Sequence, residues 1–142
     1  MGIFNNTATV ADLNALSENT IARQLGIVFT LIGDDRIEAT MPVDHRTHQP
    51  MGMLHGGASV ALAETLGSVA AMLCIDAKKQ FPVGLEINAN HIRSVTQGLV
   101  KGVTRPIHIG KKTQVWDIRI STEADELVCI SRITIAILDK KV

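Results

Sequence analysis

The sequence predicts an α+β fold in which a bent antiparallel sheet of about six strands wraps one long helix. Three observations lead there. Residues 57–75 form one nearly unbroken apolar run, about five helical turns in length. The segments around it alternate apolar and polar side chains with the period of a strand. Glycine and aspartate pairs punctuate those segments as turns do.

Taken in order, residues 10–24 (VADLNALSENTIARQ) space Val10, Leu13, Leu16 and Ile21 for one face of a short helix. LGIVFTLI (25–32) reads as a strand, the Gly-Asp-Asp at 33–35 as a turn, and RIEATMPV as its hairpin partner with Ile37, Ala39, Met41 and Val43 on one side. A polar loop (44–54) precedes the long helix, which opens at His55-Gly56-Gly57 and ends near residues 76–79. Strands are expected at 82–95, 99–107, 113–120 and 127–138, with 99–107 turning back on 82–95 through Gln97-Gly98 as a hairpin. A sheet wrapped around the long helix would bury that helix on nearly all faces. The chain shows no repeat or linker, so one domain over residues 1–142 is expected.

Composition removes several classes of function. Fourteen basic side chains balance fourteen acidic ones, so no net field points to nucleic acid or a membrane surface. Phe4, Phe29, Phe81 and Trp116 are the only aromatics, too few for a single-strand stacking platform. Cys74 and Cys129 have no metal-ligand spacing and read as core thiols of a reduced, cytoplasmic protein. The apolar run is long enough to cross a bilayer, yet Glu64 at its centre argues for a soluble core helix instead.

Glu64 is the residue that raises a question of chemistry. A carboxylate buried without a partner costs several kcal/mol, so its place in an apolar helix asks for a use. Ser68 lies four residues on, on the same helical face, with Thr65 beside it. Free N–H groups at the glycine-rich helix start could polarise a carbonyl oxygen as it becomes an oxyanion. Gly56 lies about 12 Å of helix rise from Glu64, so the acid need not reach it within one chain, and two-fold pairing of helices could bring one chain's Glu64 opposite the other's Gly56. The plainer readings are a salt-bridged glutamate, a capping His55, a tight Gly-Gly turn and a small packing serine. Two polar segments, 90–94 and 108–113, offer cations and small donors suited to phosphates, though solvated strand ends look much the same.

MPVDHRTHQPMGMLHGGASVALAETLGS, GLEINANHIRS and the closing strands together resemble the hotdog-fold acyl-CoA thioesterases over about residues 13–138. The resemblance is to the 4-hydroxybenzoyl-CoA thioesterase branch, which carries its carboxylate on the central helix. Within it the chain is similar to the bacterial naphthoyl-CoA thioesterases of menaquinone synthesis and the proofreading thioesterases of enterobactin synthesis, with Asn88-Ala89-Asn90-His91 leaning to the former. The resemblance implies that Glu64 is the catalytic carboxylate, as nucleophile or as general base on water. It implies that the Gly56 N–H polarises the thioester carbonyl, that Gln49 and His55 place it, and that Ser68 orients substrate or water. Gly84, His91, Ile92, Arg93, Ser94 and the turn His108, Ile109, Gly110, Lys111, Lys112 and Thr113 match the family's CoA-binding segments. It further implies a dimer with shared sites, commonly paired into a tetramer, a small-molecule acyl-CoA substrate, and neither metal nor cofactor, since CoA belongs to the substrate. Met51, Met53 and Leu54 are expected on the acyl side. Two other activities suit the same fold: a non-catalytic acyl-CoA binding module, and a hydratase or dehydratase of enoyl thioesters.

Overall fold

The computed structural model describes residues 2–5 and 7–141; Met1, Asn6 and Val142 lie outside the described residues. Helix α1 (Val10–Leu16) starts at Thr9, whose hydroxyl accepts from the Asp12 N–H while the Asp12 carboxylate accepts from the Thr9 N–H. The single helix expected over 10–24 is two: α1 stops at Ser17, Asn19 takes a left-handed φ of 60°, and α2 (Ile21–Gln24) follows. Asparagine is among the few residues that adopt that conformation at low cost, and one such residue ends a helix. The Asn14 side chain then brackets residue 29, donating to the Phe29 carbonyl (3.0 Å) and accepting from its N–H (2.8 Å). That pair ties α1 to strand β1.

Strands β1 (Val28–Ile32) and β2 (Ile37–Pro42) form the expected hairpin, and β2 alternates buried and half-buried positions. Helix α3 (Gly56–Leu73) is followed by β3 (Gln80–His91), β4 (Leu99–Ile109), β5 (Thr113–Thr122) and β6 (Leu127–Asp139). All six strands join one antiparallel sheet in the order β1-β2-β4-β5-β6-β3. The expected β3–β4 hairpin does not form. Instead the Val43 N–H bonds to the Gly98 carbonyl (2.8 Å), which leads β4 in beside β2, and β3 crosses to the far edge against β6. The connection is pinned on the way: Val95 is buried and its carbonyl takes the Leu54 N–H at 2.8 Å. Strand β3 is therefore an edge strand, with no strand paired to its outer side among the described residues.

Helix α3 packs on β2 through β6 by its small side chains. A Cβ on Gly67 would stand 2.5 Å from Ile133 Cγ2, and one on Gly102 of β4 would stand 2.5 Å from Leu66 Cδ1. A helix glycine thus admits a sheet isoleucine, and a sheet glycine admits a helix leucine. Beneath lie Trp116, Ile118, Ile120, Ile133 and Ile135, all fully buried. The Trp116 indole N–H donates to Gln114 Oε1 at 2.9 Å, and Phe4 stacks on its ring at 6.3 Å.

The expectation that α3 is buried all round needs correction. Ala58, Leu62, Ala63, Leu66, Gly67, Ala70 and Ala71 are covered, but the opposite stripe of Ala61, Glu64, Thr65, Ser68, Val69 and Met72 is not. The apolar composition reflects close sheet contact on one side and an apolar groove on the other. With a mean hydropathy of 1.3, α3 could cross a membrane by length and composition, yet half of it is buried against the sheet.

Candidate active site

The start of α3 is built to leave one donor open. His55 is the N-cap, and its Nδ1 accepts from the Gly57 N–H at 2.7 Å. An accepting Nδ1 puts the proton of the neutral ring on Nε2. The Ala58 and Ser59 N–H groups both reach the His55 carbonyl. The Gly56 N–H alone of this first turn finds no acceptor among the described residues. It sits at the positive end of the helix dipole, where an anionic oxygen is favoured. Gly56 must be small here, because a Cβ would lie 2.7 Å from His91 Nε2.

Gly56 opens into a cavity of about 290 Å³ lined also by Gln49, Met53, Leu54, His91, Arg93 and Ser94. The loop that brings Gln49 there is held by Asp44, whose carboxylate takes three hydrogen bonds from Arg46 and is held well below the usual carboxylate range by them. Gln49 turns its Oε1 onto the Met51 N–H and donates its own N–H to the Met53 carbonyl. Arg93 leans on Glu126 at 3.2 Å, and Ile92 N–H bonds to the Val128 carbonyl. Six of the expected residues (Gln49, Gly56, His91, Ile92, Arg93 and Ser94) therefore meet in one place.

Glu64 is elsewhere. It lines a groove of about 640 Å³ with Ser68, Thr65, Met72 and, across from them, Leu13, Leu16, Ile21 and Phe29. The carboxylate is exposed in the single chain and has no hydrogen-bond or ion-pair partner among the described residues. It comes down on Gly84 of β3, whose missing Cβ would stand 2.9 Å from Oε1. The Thr65 hydroxyl is occupied by the Ala61 carbonyl at 2.7 Å, whereas the Ser68 hydroxyl has no such bond among the described residues. Glu64 is thus the single charged side chain in an otherwise uncharged and mostly apolar trough.

The turn His108–Thr113 lies at the far end of α3. Gly110 N–H closes it on the Thr113 carbonyl at 2.9 Å, and Ile109, Gly110, Lys111 and Lys112 line a cavity of about 540 Å³ that includes Cys74. Lys112 pairs with Asp139 at 3.4 Å; Lys111 has no anionic partner among the described residues. Since α3 is about 27 Å long, this turn and the His91–Ser94 segment cannot grip one phosphate from the same chain. Gly84 joins neither. Met51 stands at an exposed loop tip, while Met53 and Leu54 line the Gly56 cavity rather than the groove beside Glu64.

The matching family model, described as the thioesterase superfamily, covers residues 51–129, which hold α3 with Gly56 and Glu64. The chain belongs to the thioesterase superfamily. It is 54% identical over 136 residues to the 1,4-dihydroxy-2-naphthoyl-CoA hydrolase of Escherichia coli, covering 96% of this chain and 99% of that one. It is 53% identical over 136 residues to the proofreading thioesterase EntH of Cronobacter sakazakii, covering 96% and 98%. In three dimensions it matches a mutant thioesterase of Pseudomonas aeruginosa at a TM-score of 0.96, 47% identity, and 98% and 100% coverage. A thioesterase of Haemophilus influenzae matches at 0.94, 50% identity, and 96% and 95% coverage. The fold is the hotdog fold of these thioesterases, and the chain is a thioester hydrolase.

For this thioesterase the groove lining from α1, α2 and β1 was not legible as a site. Leu16 at the end of α1 and Ile21 at the start of α2, each 65% exposed, carry the one local signal: large aliphatic side chains left open five residues apart.

Proposed function

We propose that the protein hydrolyses acyl-CoA thioesters to a carboxylic acid and free CoA, using Glu64 of one chain and the Gly56 N–H of a second. One observation carries this reading: an unpartnered carboxylate and an unpartnered helix-start N–H lie on one helix, in separate cavities, in a chain with an open sheet edge. Two copies aligned through β3, where Val83 and Leu85 are exposed, would cover that edge and run two α3 helices past each other. Pairs of such dimers would make the tetramer.

In the reaction, the thioester carbonyl oxygen accepts the Gly56 N–H, and Gln49 and His55 hold the carbonyl in place. Glu64 either takes a proton from water, whose hydroxide attacks the carbonyl carbon, or attacks that carbon itself to give an anhydride that water then opens. In both routes the oxyanion collapses, the carbon–sulfur bond breaks, and the CoA thiolate leaves. Ser68, its hydroxyl uncommitted, orients the water or the acyl group. Arg93, Ser94, His91 and Ile92 from one chain, and the turn from His108 to Thr113 from another, suit the anionic part of CoA. The groove between α3 and α1–α2 suits an uncharged acyl group, aromatic or medium-chain, because its one charge is the acid itself. A naphthoyl-CoA in the cytoplasm, and with it menaquinone synthesis, is the substrate we favour within that class.

The test is Glu64→Gln with an aromatic acyl-CoA. The variant keeps the shape of an exposed, unbonded side chain, so its melting temperature should stay within a degree or two. Thiol release should fall at least about a thousandfold. Near-normal turnover would end the reading. Loss of enoyl-thioester absorbance without thiol release would turn it to hydration, and a single turnover in heavy-oxygen water that labels Glu64 would select the nucleophilic route.

A further inference from the structure

Strand β3 changes register beside Glu64. Gly84 faces Ile135 and Glu86 faces Thr134, leaving Leu85 as a bulge that is 62% exposed. Bulges re-aim the chain around them. The glycine just before this bulge has no conformational reason to be one, since the glycines with positive φ are Gly26, Gly52 and Gly98. Core crowding does not explain it either. Apart from the Glu64 side chain, the nearest atom to a Cβ at this position would be Ile133 Cδ1, at an ordinary 3.8 Å. A glycine inside a strand also weakens it. What occupies the missing side chain's place is the Glu64 carboxylate: Oε1 would stand 2.9 Å from the Cβ and the carboxyl carbon 3.9 Å away.

The geometry points to a role that resemblance does not assign: we propose that Gly84, with the bulge at Leu85, is the seat of the Glu64 carboxylate. Gly84 is then a positioning residue. It rests on the reading of Glu64 as the reacting acid, and it answers a problem that reading leaves. A glutamate with no hydrogen bond and no ion pair has three free torsions, and a freely swinging carboxylate attacks poorly. Here α3 bounds it on one side and the bare backbone of β3 on the other. The seat takes one carboxylate oxygen close against the strand, where a methyl group would stand. Any side chain at 84 pushes the oxygen out of that place and fills the space next to it.

Gly84→Ala should therefore slow the chemistry. A shift of several tenths of an ångström to 1 Å in the acid's position should lower kcat about 10–100-fold. The decisive measurement is the same substitution in a Glu64→Asp background. Aspartate retracts the carboxylate by one methylene, about 1.5 Å, away from the added methyl. There Gly84→Ala should cost less than about threefold, a non-additivity that a merely structural strand defect would not produce.

Melting temperatures accompany each variant. If Gly84→Ala lowers stability, that loss should disappear in a Glu64→Ala background, where the overlapping side chain is gone; a loss that persists there overturns the proposal. Full kcat in Gly84→Ala, or an equal fractional loss beside Glu64 and beside Asp at that position, also overturns it. Glu64→Gln run in parallel separates the two ideas. An active Glu64→Gln removes the acid's role altogether, whereas an inactive Glu64→Gln with a fully active Gly84→Ala removes only the seat.

Discussion

Gly67→Ala tests how closely the helix lies on the sheet. In an exposed helix this change stabilises by about 1 kcal/mol, because alanine restricts the unfolded chain more and suits a helix better. Here the new methyl would stand 2.5 Å from Ile133 Cγ2, and Ile133 is fully buried on β6 with strands on both sides. Neither partner has room to turn. Overpacking of this kind costs about 1–3 kcal/mol, and an overlap this deep belongs to the upper part of the range. The net expectation is a loss of about 1–2 kcal/mol, or a melting temperature lower by about 3–7 °C for a chain of this length. Calorimetry on the wild type, Gly67→Ala, Ile133→Ala and the double variant checks it. The double variant should recover about 2 kcal/mol relative to the sum of the singles, because the alanine at 67 then fills space that Ile133 has vacated. A Gly67→Ala protein that melts higher, by the full helix-propensity gain, would refute the close approach of α3 and with it the reason the helix is so rich in small residues.

Other outcomes follow from the same structure. Gly56→Pro removes the open N–H at a position where proline suits a helix, and His91→Ala makes room for its ring. Mixed and refolded with Glu64→Gln, this inactive double variant should recover about a quarter of wild-type activity, since half the dimers are hybrids and each hybrid rebuilds one of its two sites. No recovery on mixing would count against a shared site. Leu16→Ala and Ile21→Ala, both at exposed groove positions, should change stability by less than about 0.5 kcal/mol. Each should lower kcat/KM about tenfold for apolar acyl groups, read on a panel of CoA esters of graded size. Burial pushes the Cys74 thiol up to about 11, so about one molecule in a thousand is thiolate at pH 8. Its alkylation should be slow there and should quicken about tenfold per pH unit until pH 11. Rapid labelling near pH 7 would contradict that environment.

Much of this was legible locally. The apolar run at 57–75 corresponds to α3 within two residues, Gly-Asp-Asp made the β1–β2 turn, and the four-residue spacing put Glu64 and Ser68 on one face. Periodicity states only which side chains share a face, so it left open what lies opposite that face. The same limit explains the wrong partner for β3. The period of two over residues 82–95 identified a strand but not its neighbour, and the bulge at Leu85 spoils the alternation in the stretch that meets Glu64. The contact of Gly84 with Glu64, twenty residues apart, had no local signature. The break between α1 and α2 rested on Asn19, whose left-handed backbone is permitted by its chemistry without being required.

The strand order has a consequence for biosynthesis. β3 finds its hydrogen bonds on β6, not on the strand that follows it, so Gly84 is fixed in place only when Ile135 has emerged and joined the sheet. Until then a growing chain carries Glu64 and Gly56 already translated, with no floor under the acid and with β3 loose. Truncation within β6 should accordingly abolish turnover although no proposed reacting group lies there. Long-range closure of this kind is slow, and a chaperone that shields β3 during that interval would raise the yield of active protein.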